Sequence, residues 1–160
     1  MSTLLTVLTI ATALGSGLAA GFFLAFSACV MKALAQLPAA QAVAAMQRIN
    51  VVVINPFIML TLFGTGLASA ALLIVAIADW DSSYGPYLVA AAAVYLVTSV
   101  VVTMTANVPR NDALERLDPA SAQAADSWPT YLREWTAWNH VRTVGPLVAS
   151  GLAMAALVAA

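Results

Sequence analysis

Four long apolar runs leave this chain few folds to choose from. They cover roughly residues 4–31, 49–78, 87–106 and 139–159. About 20 apolar residues in a helix cross the hydrocarbon core of a bilayer. A crossing segment must satisfy its own backbone hydrogen bonds, which a helix does. The chain is 62% hydrophobic and 8% charged, with mean hydropathy +0.93. A domain in water carries about a quarter charged residues, so this chain cannot cover a water-facing surface. The expected fold is all-α: an integral membrane four-helix bundle, one transmembrane domain over residues 1–160. A short amphipathic helical segment is expected between spans three and four. The lipid bilayer is the implied partner, and no basic patch suits nucleic acid.

Local signals divide the runs. No Lys or Arg precedes Lys32, so the basic start of a signal peptide is missing and the first run reads as a retained span. Leu37-Pro38 marks a break, and Ala39 to Met46 reads as helical again. Asn55-Pro56 is expected to kink the second span, and residues 79–86 form a polar turn. Asp118-Pro119 and Ser127-Trp128-Pro129 both read as helix starts, the second continuing into span four. Lys32 and Arg48 flank the first connection; Arg110, Arg116, Arg133 and Arg142 belong to the third. The turn between spans two and three holds Asp79 and Asp81 and no base. The positive-inside rule then makes the two longer loops cytoplasmic and puts both termini outside. A bacterial inner or plasma membrane is the expected location. Ala13, Gly17, Gly21 and Ala25 form a small-residue ridge that permits close helix packing, within the chain or in a homo-oligomer.

Antiparallel spans would gather the chemically capable side chains at one mouth of the bundle. Phe22 and Phe26 come from the first span, Asn50 and Asn55 from the second, and Asn107 from the third. Trp135, Trp138, Asn139, His140 and Arg142 come from the fourth. Amides buried without partners are costly, so the asparagines point to a site. Trp and Arg also serve as anchors at headgroup depth, which leaves both readings open for Trp135, Trp138 and Arg142. On a helix, Tyr131, Trp135, Trp138 and Arg142 share a face, Asn139 lies beside it, and His140 points nearly the opposite way. Tyr95, Ser99, Thr103 and Asn107 form a polar ridge at four-residue spacing that should face the bundle interior.

Several chemistries fit poorly. Cys29 is the only cysteine, so there is no intrachain disulfide or paired-cysteine motif. One His, one Cys and no carboxylate deep in a span do not make a zinc site. His140 offers at most a single axial haem ligand, which disfavours haem and copper. No Gly-rich phosphate loop is present. The lack of a deep carboxylate argues against a proton-coupled exporter.

The motifs fall in a definite order. GxxxGFFxxFSxxVMxAL runs from Gly17 to Leu34, and MQRIN with a following Asn-Pro pair from Met46 to Pro56. NVPRN spans Asn107 to Asn111, and W-x2-WN-x2-R spans Trp135 to Arg142. In these motifs, over nearly its whole length, the chain resembles the anthrone oxygenase family of small four-helix membrane proteins. The resemblance implies oxidation of anthrones to anthraquinones, with dioxygen as co-substrate and no evident organic cofactor. It does not fix this chain's own substrate. A lipophilic, aromatic small molecule is the implied partner. For such chemistry Arg142, Asn139 and Asn107 suit stabilisation of an oxyanion, and His140 is a side chain of a type suited to act as a base. Phe22, Phe26, Trp135 and Trp138 suit walls for flat rings, with Asn50 and Asn55 at the border. The alternative is a non-enzymatic membrane subunit that binds a lipid or quinone, or stabilises a larger complex.

Overall fold

The structure, a computed structural model, describes residues 1–78 and 80–160. Asp79, expected in the polar turn, lies outside the described residues. Among those described there are five helices and no strand: α1 (Thr3–Leu34), α2 (Ala39–Val52), α3 (Pro56–Ala78), α4 (Gly85–Glu115) and α5 (Ala122–Val158). All but α2 are long and apolar enough to cross a membrane. The protein is an all-α integral membrane four-helix bundle.

α5 is the central element, packing along both α1 and α4. Its inward face is built of small residues, including Gly145, Ala149, Ala153 and Ala156. A Cβ at Gly145 would overlap the side chain of Thr98, so α4 and α5 approach closely there. Ser150 Oγ donates to the Ala13 carbonyl at 2.9 Å, joining α5 to α1. The small-residue ridge of α1 therefore serves packing within the chain at Ala13. Farther along it, Gly21 and Ala25 face outward.

The expected second span, 49–78, divides in two. The chain leaves α2 at Val53 and starts α3 at Pro56. Asn55 explains the corner. It is extended, its Oδ1 accepts from the amides of Phe57 and Ile58 at 3.1 Å each, and proline follows at the first helical position. That is a helix N-cap. α2 then lies across one end of the bundle, with Ala42, Val43 and Met46 fully buried against Leu114, Ala124 and Trp128. Gln47 Nε2 donates to the carbonyls of Leu114 and Leu117, which ties α2 to the end of α4.

The third connection is shorter than expected. Asp118-Pro119 forms a turn, in which Asp118 Oδ1 accepts from the Ala120 amide. The helix start falls three residues later, where Ser121 Oγ accepts from the Ala124 amide. Ser127-Trp128-Pro129 is not a start: Pro129 and Pro146 both lie inside one continuous helix. The amphipathic segment expected before span four is the first part of α5. A tight core about Trp128 and Tyr131 outweighs the backbone bond that an interior proline removes.

α3 and α4 pack against each other over 65–78 and 85–101 and separate toward Pro56 and Glu115. The separation leaves an open wedge, which α2 roofs.

Candidate functional site

The wedge holds a cavity of about 680 Å³, inside the range of roughly 300–1,000 Å³ usual for small-molecule pockets. Every helix contributes to it. Phe22, Phe23 and Phe26 come from α1, and Ile49 and Asn50 from α2. Ile58, Met59 and Leu62 come from α3, Thr103, Asn107 and Asn111 from α4, and Trp135 and Arg142 from α5. Asp112 and Glu115 line it at exposed positions toward the end of α4. The walls are chiefly aliphatic and aromatic.

Three of the helices carry a π-helical turn where they border this space: Phe26–Val30, Leu60–Gly64 and Thr103–Asn107. A π turn inserts a residue and re-aims the side chains beyond it, and such turns recur at functional sites. Here they bring Phe26, Leu62, Thr103 and Asn107 to one space.

Arg142 is the chemical centre. It is 5% exposed. Its guanidinium carbon lies 4.5 Å from the centre of the Phe23 ring and 5.0 Å from that of Trp135. Nη2 donates to Asn139 Oδ1 at 2.9 Å and Nη1 to Thr103 Oγ1 at 3.3 Å, while Nε is buried with no partner. Among the described residues no carboxylate pairs with Arg142; the one ion pair there, Arg110 with Glu134 at 2.9 Å, lies elsewhere and half-exposed. The cation is thus held by two neutral acceptors and two rings, each ring contact worth up to about 2 kcal/mol when desolvated.

Asparagines set the frame around it. Asn139, fully buried, donates from Nδ2 to the Phe23 carbonyl and to Ser27 Oγ, each at 2.7 Å. Its oxygen is thereby aimed at Arg142. Asn107 donates to the Trp135 carbonyl at 3.2 Å, and its Oδ1 is buried without a donor. Asn111 Oδ1 accepts from Trp135 Nε1 at 2.8 Å and Tyr131 Oη at 3.0 Å, which fixes the indole in the wall. The Phe22 and Phe26 rings meet at a tilt with their centres 5.1 Å apart, and Phe26 meets Trp135 at 5.6 Å, also tilted.

Among the residues singled out from sequence, Phe22, Phe26, Asn50, Asn107, Trp135 and Arg142 line the cavity. Asn139 stands behind it, holding Arg142. Three others stand apart. Asn55 is committed to the N-cap of α3. Trp138 is 41% exposed, because the buried stripe of α5 runs through Trp135, Asn139 and Arg142, about one residue around from the expected face. His140 is exposed, on the side of α5 away from that stripe. Phe23, Thr103 and Asn111 also line the cavity, although they were not singled out as site residues. Phe23 adjoins Phe22 in the FF pair, Thr103 belongs to the polar ridge, and Asn111 closes NVPRN one turn after Asn107, so each had a weak signal. Among the described residues no three His, Cys, Asp or Glu side chains gather as metal ligands.

A family model described as anthrone oxygenase matches residues 52–152. No curated protein and no solved structure matches the chain. The matched stretch takes in all of α3 and α4 and most of α5. It therefore includes Thr103, Asn107, Asn111, Trp135, Asn139 and Arg142, while the aromatic wall of α1 precedes it. From this match the chain belongs to the anthrone oxygenase family.

Proposed function

We propose that the cavity is the active site of an oxygenase that oxidises a lipophilic aromatic substrate with dioxygen, opening toward the cytoplasm. The observation that carries this reading is one apolar, aromatic-walled space in which a buried arginine and an amide oxygen retain unused hydrogen-bonding capacity. Family membership supports the reaction class. For an anthrone the balance is anthrone plus dioxygen giving anthraquinone plus water. Loss of a proton from the methylene carbon leaves an anion whose charge rests largely on the ketone oxygen. That anion is electron-rich enough to react with dioxygen and form a carbon–oxygen bond. The resulting peroxide loses its second C–H proton as the O–O bond breaks, leaving a carbonyl and water.

In this reading Arg142 stabilises the oxyanion, as preorganised donors in a water-poor site do. Asn139 is a positioning residue, since it acts through Arg142. Asn107 offers a second polar contact, and Phe22, Phe26 and Trp135 hold the rings flat. Dioxygen is the co-substrate, and the reading calls for no resident cofactor. The test is turnover of a soluble anthrone by the purified protein under ¹⁸O₂. The expected result is a rate well above the protein-free control, one dioxygen consumed per quinone, and one label in the new carbonyl. A rate equal to the control would set this reading aside in favour of a binding subunit.

A further inference from the structure

Among the described residues the cavity buries a cation and no base, and the two carboxylates that line it, Asp112 and Glu115, stand at its exposed margin. His140 is exposed on the far side of α5. Phe22, Phe26 and Trp135 have no proton-accepting group for this purpose, and the amides of Asn50 and Asn107 are not basic. The carboxylates of Asp112 and Glu115 occupy exposed positions, where water screens them more than it screens a buried charge. Arg142 faces Phe23 from α1, Thr103 from α4, and Trp135 and Asn139 from its own helix. Tyr131, the remaining titratable group near it, has its hydroxyl bonded to Asn111. Guanidinium does not give up its proton in proteins. A buried cation without a counter-ion is a large unfavourable feature unless something compensates it, and here the protein supplies only dipoles and rings.

We propose that the ligand supplies the missing charge: the cavity binds a flat phenol or enol in its ionised form, with Arg142 as counter-ion. This rests on the reading of the cavity as an aromatic-substrate site and assigns its ionisation step. Binding removes the proton, which leaves through the mouth to water past Asp112 and Glu115, and no side chain need act as the base. The site therefore selects acidic aromatics over neutral ones of the same shape.

The test uses 2-hydroxyanthraquinone, which changes colour on ionising and is already oxidised, so it reports binding without turnover. Its methyl ether is the control. The ether has the same ring system and cannot ionise. Absorbance is titrated against pH with the full-length protein in detergent and with detergent alone. The expected result is ionisation of the bound phenol at least one pH unit below the detergent control, a tenfold preference for the anion. Correspondingly, the ether binds at least tenfold more weakly at a pH where the bound phenol is ionised. Arg142→Gln should abolish the shift and Arg142→Lys should retain most of it. Should Arg142→Gln fail to fold, the comparison of phenol with ether in the unaltered protein decides alone. Equal binding of phenol and ether, with no shift, would overturn the inference and leave the aromatic site standing. Failure of both compounds to bind would overturn the inference and the aromatic site together. Absence of anthrone turnover with the shift intact would remove the oxygenase reading and leave the anion site.

Discussion

At the residue scale, Arg142 depends on Asn139. One amide spans three groups: it receives the guanidinium and ties itself to the Phe23 carbonyl and Ser27. Replacing Asn139 with Ala should destabilise the fold by about 2–3 kcal/mol, because hydrogen bonds to a charged group are lost in a buried place. Thermal unfolding in detergent would register it, and anthrone turnover should fall together with stability. His140→Ala should change stability by no more than about 0.5 kcal/mol, as expected for a surface substitution, and leave turnover unchanged. A large loss of turnover in that variant would return the histidine to the mechanism. The sequence placed Arg142 and the asparagines near one another through helix direction and span order. It did not separate Trp138 from Asn139, since adjacent residues on one helix differ by only a fraction of a turn, and packing against α1 decides which is buried.

At the scale of the elements, two joints hold the cavity open. The first is the close crossing of α4 and α5. Gly145→Ala should cost about 1–3 kcal/mol through overlap with Thr98. Thr98→Ala in the same chain should recover most of it, since the Thr98 hydroxyl bonds only to the Val94 carbonyl of its own helix. A double-mutant cycle with no coupling would rule out that contact. The second joint is the α2–α3 corner, where Asn55→Ala should cost about 1 kcal/mol as a lost N-cap. Asn-Pro was readable as a break in the apolar run. The direction α2 takes before it was not, because that depends on Gln47 reaching the end of α4, far away in sequence. The π turns were likewise invisible, since they follow from packing and not from any residue type.

At the scale of the molecule, the four apolar runs fixed the number of long helices and the antiparallel order before any contact was known. Their boundaries shifted where a helix carried on past the apolar stretch, as α5 does through Pro129. All six Lys and Arg residues lie in or beside the connections at the cavity end of the bundle. We take that end as cytoplasmic by the positive-inside rule. Ser83, whose hydroxyl bonds the Ala159 carbonyl, marks the opposite end. In a Cys29→Ser background, Ser83→Cys should react with an impermeant maleimide added to intact cells. Arg116→Cys should react only after permeabilisation. The reverse pattern would invert the orientation and leave the bundle as described.

Dioxygen uptake with anthrone by two tryptophan variants decides whether the reaction takes place in the cavity. Ile58→Trp places an indole in the cavity wall, and Leu67→Trp places one on the outer face, where Leu67 is 74% exposed. Uptake should fall to the protein-free rate in Ile58→Trp and stay normal in Leu67→Trp, with both proteins unfolding near the original temperature. Full uptake in Ile58→Trp, with the fold intact, would mean that the reaction takes place somewhere other than this cavity.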